Sequence, residues 1–410
     1  MDTGPIFSLN RNGTPHGNGN SHGIPHSNGI PHGKSSSQAG PRETGRIINL
    51  TDGLHSYCKF LKDTFKNITE YTLNTPKKSD PGSDSRTSQT LLDPGGDSRT
   101  SQTLLDPGSD TRTSQTFMDN IHVPLKIVVD CSNGAASSVA PLLFIPPLFD
   151  AHFINHRPDG KNINLNCGSQ HTEALRSLVT ETGAAMGLAF DGDADRLIAV
   201  DETGAVITGD RMLALCAAHA KKKGRLENNL VVSTVMSNIG LLRLLDSLGI
   251  DHIMTDVGDR EVLREMTASG AIMGGEDSGH MIFSRYHTTG DGLLSALRVI
   301  EVMMETGTPL SELASIMKVY PQVLMNVEVD ASRPDFMAIP GIKREIDRVE
   351  NQLGKNGRVL VRYSGTQPLL RVMVEGPDPL TTESLCRGIC NVIRDTMLNG
   401  SFLNNQKKFK

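Results

Sequence analysis

The chain has 410 residues, 37% of them hydrophobic, and 41 basic against 46 acidic side chains leave a formal net charge of -5. Charge this close to balance, with no long basic run, lacks the electrostatic footprint of a nucleic-acid or membrane-surface binder, so a neutral or anionic small molecule is the expected partner. The low hydrophobic content of a chain long enough for two or three domains predicts that part of it does not fold.

The first twenty residues, MDTGPIFSLNRNGTPHGNGN, show no basic segment followed by an apolar run, and about 18 uninterrupted apolar residues occur nowhere. Neither secretion nor membrane insertion is therefore expected. Residues 1–44 are a low-complexity mixture of Gly, Asn, His, Pro and Ser, predicted to be disordered, with His16, His22, His26 and His32 read as part of a solvated tail. Over 45–74, apolar residues recur at helical spacing behind Thr51 and Asp52 as caps, which predicts one linking helix. The stretch 75–120 holds a period-13 repeat (DPGSDSRTSQTLL, DPGGDSRTSQTLL, DPGSDTRTSQTFM) too polar to build a core, and it reads as an insertion in a surface loop.

From 121 onward, short apolar strands alternate with helical patterns. A first α/β unit, 121–226, takes in KIVVD, AHFIN, GLAF and LIAV as strands and HTEALRSLVTETG and GDRMLALCAAHAKKKG as helices. A second, 227–321, runs from NNLVVSTVMS to a long helix beginning at Gly290, and a third, 322–400, pairs the hairpin GRVLVRYSGTQPLLRVMVEG with two helices; 401–410 is a tail. The fold class expected is two α/β/α layered domains followed by a smaller α+β C-terminal domain, with a disordered N-terminus. Cys58, Cys131, Cys167, Cys216, Cys386 and Cys390 form neither a disulfide framework nor a zinc spacing, which suits a reducing cytoplasmic setting.

Three loops carry chemistry. In D-G-D-A-D-R, Asp191, Asp193 and Asp195 alternate between two apolar strands; oxygens clustered without nitrogen or sulfur suit a hard cation such as magnesium, Mg²⁺, and Arg196 would face an anion held beside it. In GGEDSGH, Glu276 and Ser278 lie on a tight turn able to bind sugar hydroxyls, although a glycine-rich hairpin explains the turn equally, and His280 reads as either a site or a core histidine. In RYSGTQP, Arg362, Ser364, the backbone around Gly365, and Thr366 offer the mixture that a phosphate nest uses, with Arg371 able to join; an ordinary hairpin turn is the alternative.

Together with VVDCSNGAA, PDGKNIN, STVMSNIGL, VGDR, TTGDGL and YPQVLMNVEV, these loops form an ordered series that resembles the α-D-phosphohexomutase superfamily, and within it the bacterial phosphoglucosamine mutases, from about Gly45 to Met397. The resemblance implies Mg²⁺ on Asp191, Asp193 and Asp195, sugar selection by Glu276, Ser278 and His280, and phosphate binding by Arg362, Ser364, Gly365 and Thr366. It implies an isomerase acting on a phosphorylated amino sugar, glucosamine 6-phosphate and glucosamine 1-phosphate, on the path to UDP-N-acetylglucosamine.

Two departures alter this expectation. The family's T-D-G-x-R-G-like loop and its S-H-N-P motif, whose serine carries the transferable phosphate, do not occur in the 410 residues, so no catalytic serine is assigned and turnover is expected to be impaired. Tyr363 and Gln367 stand where the family has Pro and Glu, which is expected to loosen the turn and remove a charge. Phosphomannomutase/phosphoglucomutase activity, or phosphosugar binding without turnover, are the alternatives. A homodimer and a separately encoded first domain both stay open as partners.

Overall fold

The computed structural model describes residues 52–74, 124–330, 332–365 and 367–397, with the side chains of 66–74 excluded. The low-complexity segment, the period-13 repeat, Thr366 and the 401–410 tail therefore lie outside the described residues.

The first sheet consists of β1 (Leu125–Asp130), β2 (Phe149–Ile154), β3 (Met186–Phe190), β4 (Leu197–Asp201) and β5 (Val206–Ile207), in the order β2-β1-β3-β4-β5. β1 runs parallel to β2 and β3, and β4 turns back antiparallel to β3. Every residue of β3 and β4 is buried, as a central strand covered on both faces requires. One face packs on the Glu173–Thr182 helix through Leu175 and Val179. The other joins a larger core shared with the Gly53–Asn74 helix, whose Cys58, Leu61 and Phe65 repeat at helical spacing and point inward. Burying Leu61 and Phe65 stabilises this docking by about 2 kcal/mol each.

The second sheet repeats the pattern. β6 (Leu230–Thr234), β7 (Asp251–Thr255), β8 (Met273–Gly275) and β9 (Met281–Phe283) are ordered β7-β6-β8-β9, with β6 parallel to β7 and β8, and β9 antiparallel to β8. In both sheets the connection from the third strand to its antiparallel neighbour leaves from the carboxyl ends of the parallel strands, the edge where open α/β sheets place ligands. The D-G-D-A-D-R and GGEDSGH loops are these two connections.

The Gly209–Lys222 helix packs on β8 and on the Ile239–Ser247 and Gly292–Thr306 helices. It belongs with the second sheet by packing, whereas the sequence grouped it with the first unit, up to 226. Its inner face carries Met212, Leu213, Leu215 and Cys216, and periodicity alone does not say which sheet that face meets. The long helix starts at Gly292 instead of Gly290, because Asp291, in extended conformation, caps it by accepting the Leu294 N–H at 2.9 Å.

The C-terminal sheet is antiparallel, in the order β10 (Gln322–Glu328), β12 (Leu369–Glu375), β11 (Arg358–Tyr363). The Pro340–Leu353 and Pro379–Met397 helices cover one face through Ile342, Ile346, Ile389 and Ile393. Its other face meets the second sheet's layer: buried Glu375 accepts the Ile239 N–H at 3.1 Å and pairs with Arg358, which also donates to the Ser237 carbonyl.

Candidate active site

The chain between β3 and β4 brings one carboxylate oxygen each from Asp191, Asp193 and Asp195 within 4.8 Å of one another. Ala194 holds the turn at φ 63°, and its carbonyl accepts the Gly292 N–H at 2.9 Å, so the start of the long helix buttresses the loop. Burial first, and then the adjacent Asp195 carboxylate, push the Asp191 pKa up to about 7, since close like charges resist joint ionisation. Arg196 Nε lies 3.7 Å from both Asp191 Oδ2 and Asp195 Oδ1, and the Arg196 N–H donates to Asp191 Oδ1 at 3.2 Å. Asp195 Oδ1 is buried without a hydrogen-bond partner. A divalent cation would satisfy that atom and offset the repulsion, and an all-oxygen donor set fits Mg²⁺.

The segments around the loop are shaped to it. Asp130, at the end of β1, accepts the Ser132 and Gly168 N–H groups at 2.9 Å each and folds DCSNGAA into a tight turn. The Ala135 N–H then donates to the Gly192 carbonyl at 2.9 Å.

GGEDSGH joins from the second sheet. The Leu197 N–H donates to the Gly279 carbonyl at 3.1 Å, and His280 Nδ1 lies 3.0 Å from Asp195 Oδ2. Gly279 has φ 92°, and a methyl group there would come within 2.0 Å of the Leu197 carbonyl oxygen, so the loops meet backbone to backbone. His280 is 3% exposed with its ring against Gly290; it orients Asp195 from behind, away from the solvent that Ser278 faces. Glu276 accepts the Gly258 N–H at 3.1 Å, at the start of the Asp259–Ser269 helix.

Asp210, which the sequence reading passed over, underlies this loop. It is fully buried, its N–H donates to Asp277 Oδ1 at 3.3 Å, and its Oδ2 accepts the Asn238 N–H at 2.6 Å. Burial, and after it the Asp277 carboxylate, push its pKa up to about 8. The one sequence signal was an acidic residue in the first turn of a predicted helix, which ordinarily marks only a favourable dipole position.

In the C-terminal hairpin, Arg362 and Arg371 stand directly opposite across β11 and β12, and Arg371 Nη2 donates to buried Ser364 Oγ at 3.4 Å. Two cations in register repel, and a phosphate between them would relieve that. Arg371 Nε, buried and without a partner, points to the same need. Among the described residues no hydrogen bond or ion pair links this hairpin tip to the other two loops. Tyr363 is anchored at the end of β11: its hydroxyl donates to the Pro334 carbonyl at 2.5 Å and its ring meets Phe336 edge-on at 5.7 Å.

A pocket of about 330 Å³ opens beside the aspartates, lined by Tyr57, Asp193, Asp195, His287 and Asp291 among others. Tyr57 Oη and His287 Nε2 both reach Asp291 Oδ2, at 2.7 and 2.8 Å. The linking helix thereby forms one wall of the site, which its amphipathic pattern did not reveal.

Comparison with known proteins gives the chain's family. Residues 112–204, 208–320 and 324–392 match, in turn, the family models for phosphoglucomutase/phosphomannomutase alpha/beta/alpha domain II, alpha/beta/alpha domain III and C-terminal domain. The chain belongs to the phosphoglucomutase/phosphomannomutase family. The domain III match of this family member opens at 208, where the Gly209–Lys222 helix begins. The chain is 68% identical over 275 residues to the phosphoglucosamine mutase of Desulforapulum autotrophicum, covering 67% of this chain and 59% of that protein. It is 53% identical over 273 residues to the phosphoglucosamine mutase of Syntrophus aciditrophicus, covering 67% and 61%. The chain therefore spans about three fifths of the length of the curated relatives it matches. The crystal structure of Aspergillus fumigatus N-acetylphosphoglucosamine mutase, in complex with GlcNAc-6P and magnesium, shares its fold with a TM-score of 0.55 at 20% identity, covering 69% of this chain and 68% of that one.

Proposed function

We propose that the chain supplies the metal, sugar and phosphate contacts of a phosphoglucosamine mutase, which interconverts glucosamine 6-phosphate and glucosamine 1-phosphate in the cytoplasm. The observation that carries this reading is Asp195, whose one oxygen is held by the sugar loop's His280 while the other is buried beside Asp191 without a hydrogen-bond partner, 3.7 Å from Arg196 Nε. Asp191, Asp193 and Asp195 would hold Mg²⁺. When bound, the cation supplies Lewis-acid neutralisation of phosphate charge.

The remaining roles belong to the chain's own side chains. Arg196 is placed to face the phosphate beside the carboxylates, and His280 fixes the Asp195 carboxylate. Glu276 and Ser278 face the sugar, and Arg362, Ser364, Gly365, Thr366 and Arg371 grip the phosphate that is not transferred, which sets the reacting hydroxyl's position. The three units 121–226, 227–321 and 322–400 would then carry one loop each, with the Gly209–Lys222 helix packed under the second.

The 410 residues contain no S-H-N-P motif, and this observation favours a second reading for the chain on its own: phosphosugar binding without turnover. A coupled assay with glucosamine, mannose and glucose phosphates, with Mg²⁺ and a bisphosphate primer, tests both. The chain alone is expected to bind and scarcely turn over, and adding a serine-bearing first domain from a complete relative is expected to restore activity with preference for glucosamine phosphate. Preference for mannose or glucose phosphate would overturn the specificity. Robust turnover by the unsupplemented chain would overturn the need for that serine.

A further inference from the structure

Tyr57 stands on the Gly53–Asn74 helix, 234 positions before Asp291, and the two side chains meet on the wall of the pocket that Asp193 and Asp195 also line. The Asp291 carboxylate is held from three sides. Its Oδ1 accepts the Leu294 N–H at 2.9 Å, and its Oδ2 accepts the Tyr57 hydroxyl at 2.7 Å and faces His287 Nε2 at 2.8 Å. Leu294 and His287 belong to the chain on either side of Asp291, so of the three anchors Tyr57 alone comes from another element.

The surroundings hold the hydroxyl in place. The Tyr57 ring stacks on Phe60 with centroids 6.5 Å apart, and Phe60 in turn lies 5.9 Å from the His287 ring. Burial first, and then Asp291, keep the Tyr57 pKa above its ordinary value, so the hydroxyl retains the proton that it donates.

From Asp291 the contact reaches the aspartate turn within one residue. The Gly292 N–H donates to the Ala194 carbonyl at 2.9 Å, and a methyl group on Gly292 would come within 2.5 Å of the Arg196 carbonyl oxygen. Ala194, between Asp193 and Asp195, has φ 63°, a left-handed conformation that is unfavourable for a residue with a Cβ and persists where its surroundings impose it. The start of the Gly292–Thr306 helix imposes it here, and Asp291 is the cap of that helix.

We propose that Tyr57 is a positioning residue for the cation turn: its hydroxyl, through Asp291, fixes the start of the Gly292–Thr306 helix and thereby holds Ala194 and the flanking Asp193 and Asp195 carboxylates in the arrangement that binds Mg²⁺. The inference rests on the reading of Asp191, Asp193 and Asp195 as the cation's ligands. It gives the linking helix a part in the site beyond its packing, which Leu61 and Phe65 supply without any hydroxyl.

The test compares the full chain with Tyr57→Phe, which keeps the ring and removes the hydroxyl. Hydrogen exchange of the metal-free proteins, read by mass spectrometry, should be faster in Tyr57→Phe over 190–196 and 291–295 and unchanged in β6 and β7. Mg²⁺ titration by calorimetry should show binding weakened about threefold to tenfold, at or below the loss typical of a partner that bonds a metal ligand directly. In an Asp291→Asn background, where the cap survives and the carboxylate does not, adding Tyr57→Phe should change little, because the two side chains act as one unit. Phe65→Leu, which thins the packing of the same helix, should lower the melting temperature and leave Mg²⁺ affinity as it was. Unchanged exchange in both segments, or Mg²⁺ affinity untouched by Tyr57→Phe or lowered as much by Phe65→Leu, would overturn the proposal. Faster exchange in Tyr57→Phe, with no Mg²⁺ binding by the unaltered chain, would instead overturn the cation reading.

Discussion

Asp195 and His280 lie 85 positions apart and meet at 3.0 Å, so the D-G-D-A-D-R and GGEDSGH loops share a hydrogen bond that neither loop's local sequence contains. The alternation of the aspartates was legible because strands on both sides force the intervening chain to turn, and three carboxylates in one turn form a donor set that suits a cation. Replacing Asp193 by Asn should weaken Mg²⁺ binding about tenfold, about 1.4 kcal/mol in calorimetry, and an unchanged affinity would remove the metal assignment. Gly279 was legible only as part of a glycine-rich turn. Its positive φ and the Leu197 carbonyl 2.0 Å from an added methyl make Gly279→Ala cost about 2 kcal/mol or more, seen as a lower melting temperature. A melting temperature equal to that of the unaltered chain would show that the two loops move apart without penalty. His280 had two readings in the sequence, site or satisfied core histidine, and the structure buries it with Nδ1 3.0 Å from Asp195 Oδ2.

At the scale of elements, the β11–β12 hairpin sets function against stability. Arg362 opposite Arg371 is an unfavourable cross-strand pair when no anion lies between them. Arg362→Gln is therefore expected to raise the stability of the ligand-free protein by a few tenths of a kcal/mol, up to about 1 kcal/mol, while lowering affinity for a phosphosugar. A loss of stability in denaturant titration would show that Arg362 serves the fold. The hairpin itself was legible from two β-branched runs around S-G-T-Q-P. The anchoring of Tyr363 on Pro334 and Phe336 was not, because those partners come from the segment after β10, about thirty residues earlier in the chain. Removing the hydroxyl by Tyr363→Phe should cost about 1 kcal/mol. An unaffected unfolding midpoint would return Tyr363 to the role of a loose substitute for proline.

Across the whole molecule, one chain of contacts joins the GGEDSGH loop to the C-terminal sheet: Asp277 to Asp210, Asp210 to Asn238, and Ile239 to Glu375. With its pKa raised to about 8, Asp210 stays protonated in the fold over a range where the unfolded chain, near the ordinary value of about 3.9, has already ionised. Its contribution to stability is thus fully present below about pH 4 and is lost as the pH rises toward 8. Asn imitates the protonated acid, so Asp210→Asn should flatten the decline in unfolding free energy between pH 5 and 8, and parallel profiles for the two proteins would refute this. By itself the sequence determined the layered α/β class, the three loops and the residue types each would present, because strand alternation, helix periodicity and turn residues are written within a few positions of one another. Tertiary structure alone decided which sheet the Gly209–Lys222 helix covers, that His280 supports Asp195, and that Asp210 and Glu375 are buried at a junction. Each of these depends on which faces meet after the chain has folded back over tens to more than a hundred residues, and burial, which sets both partner and proton, exists only once those faces have closed.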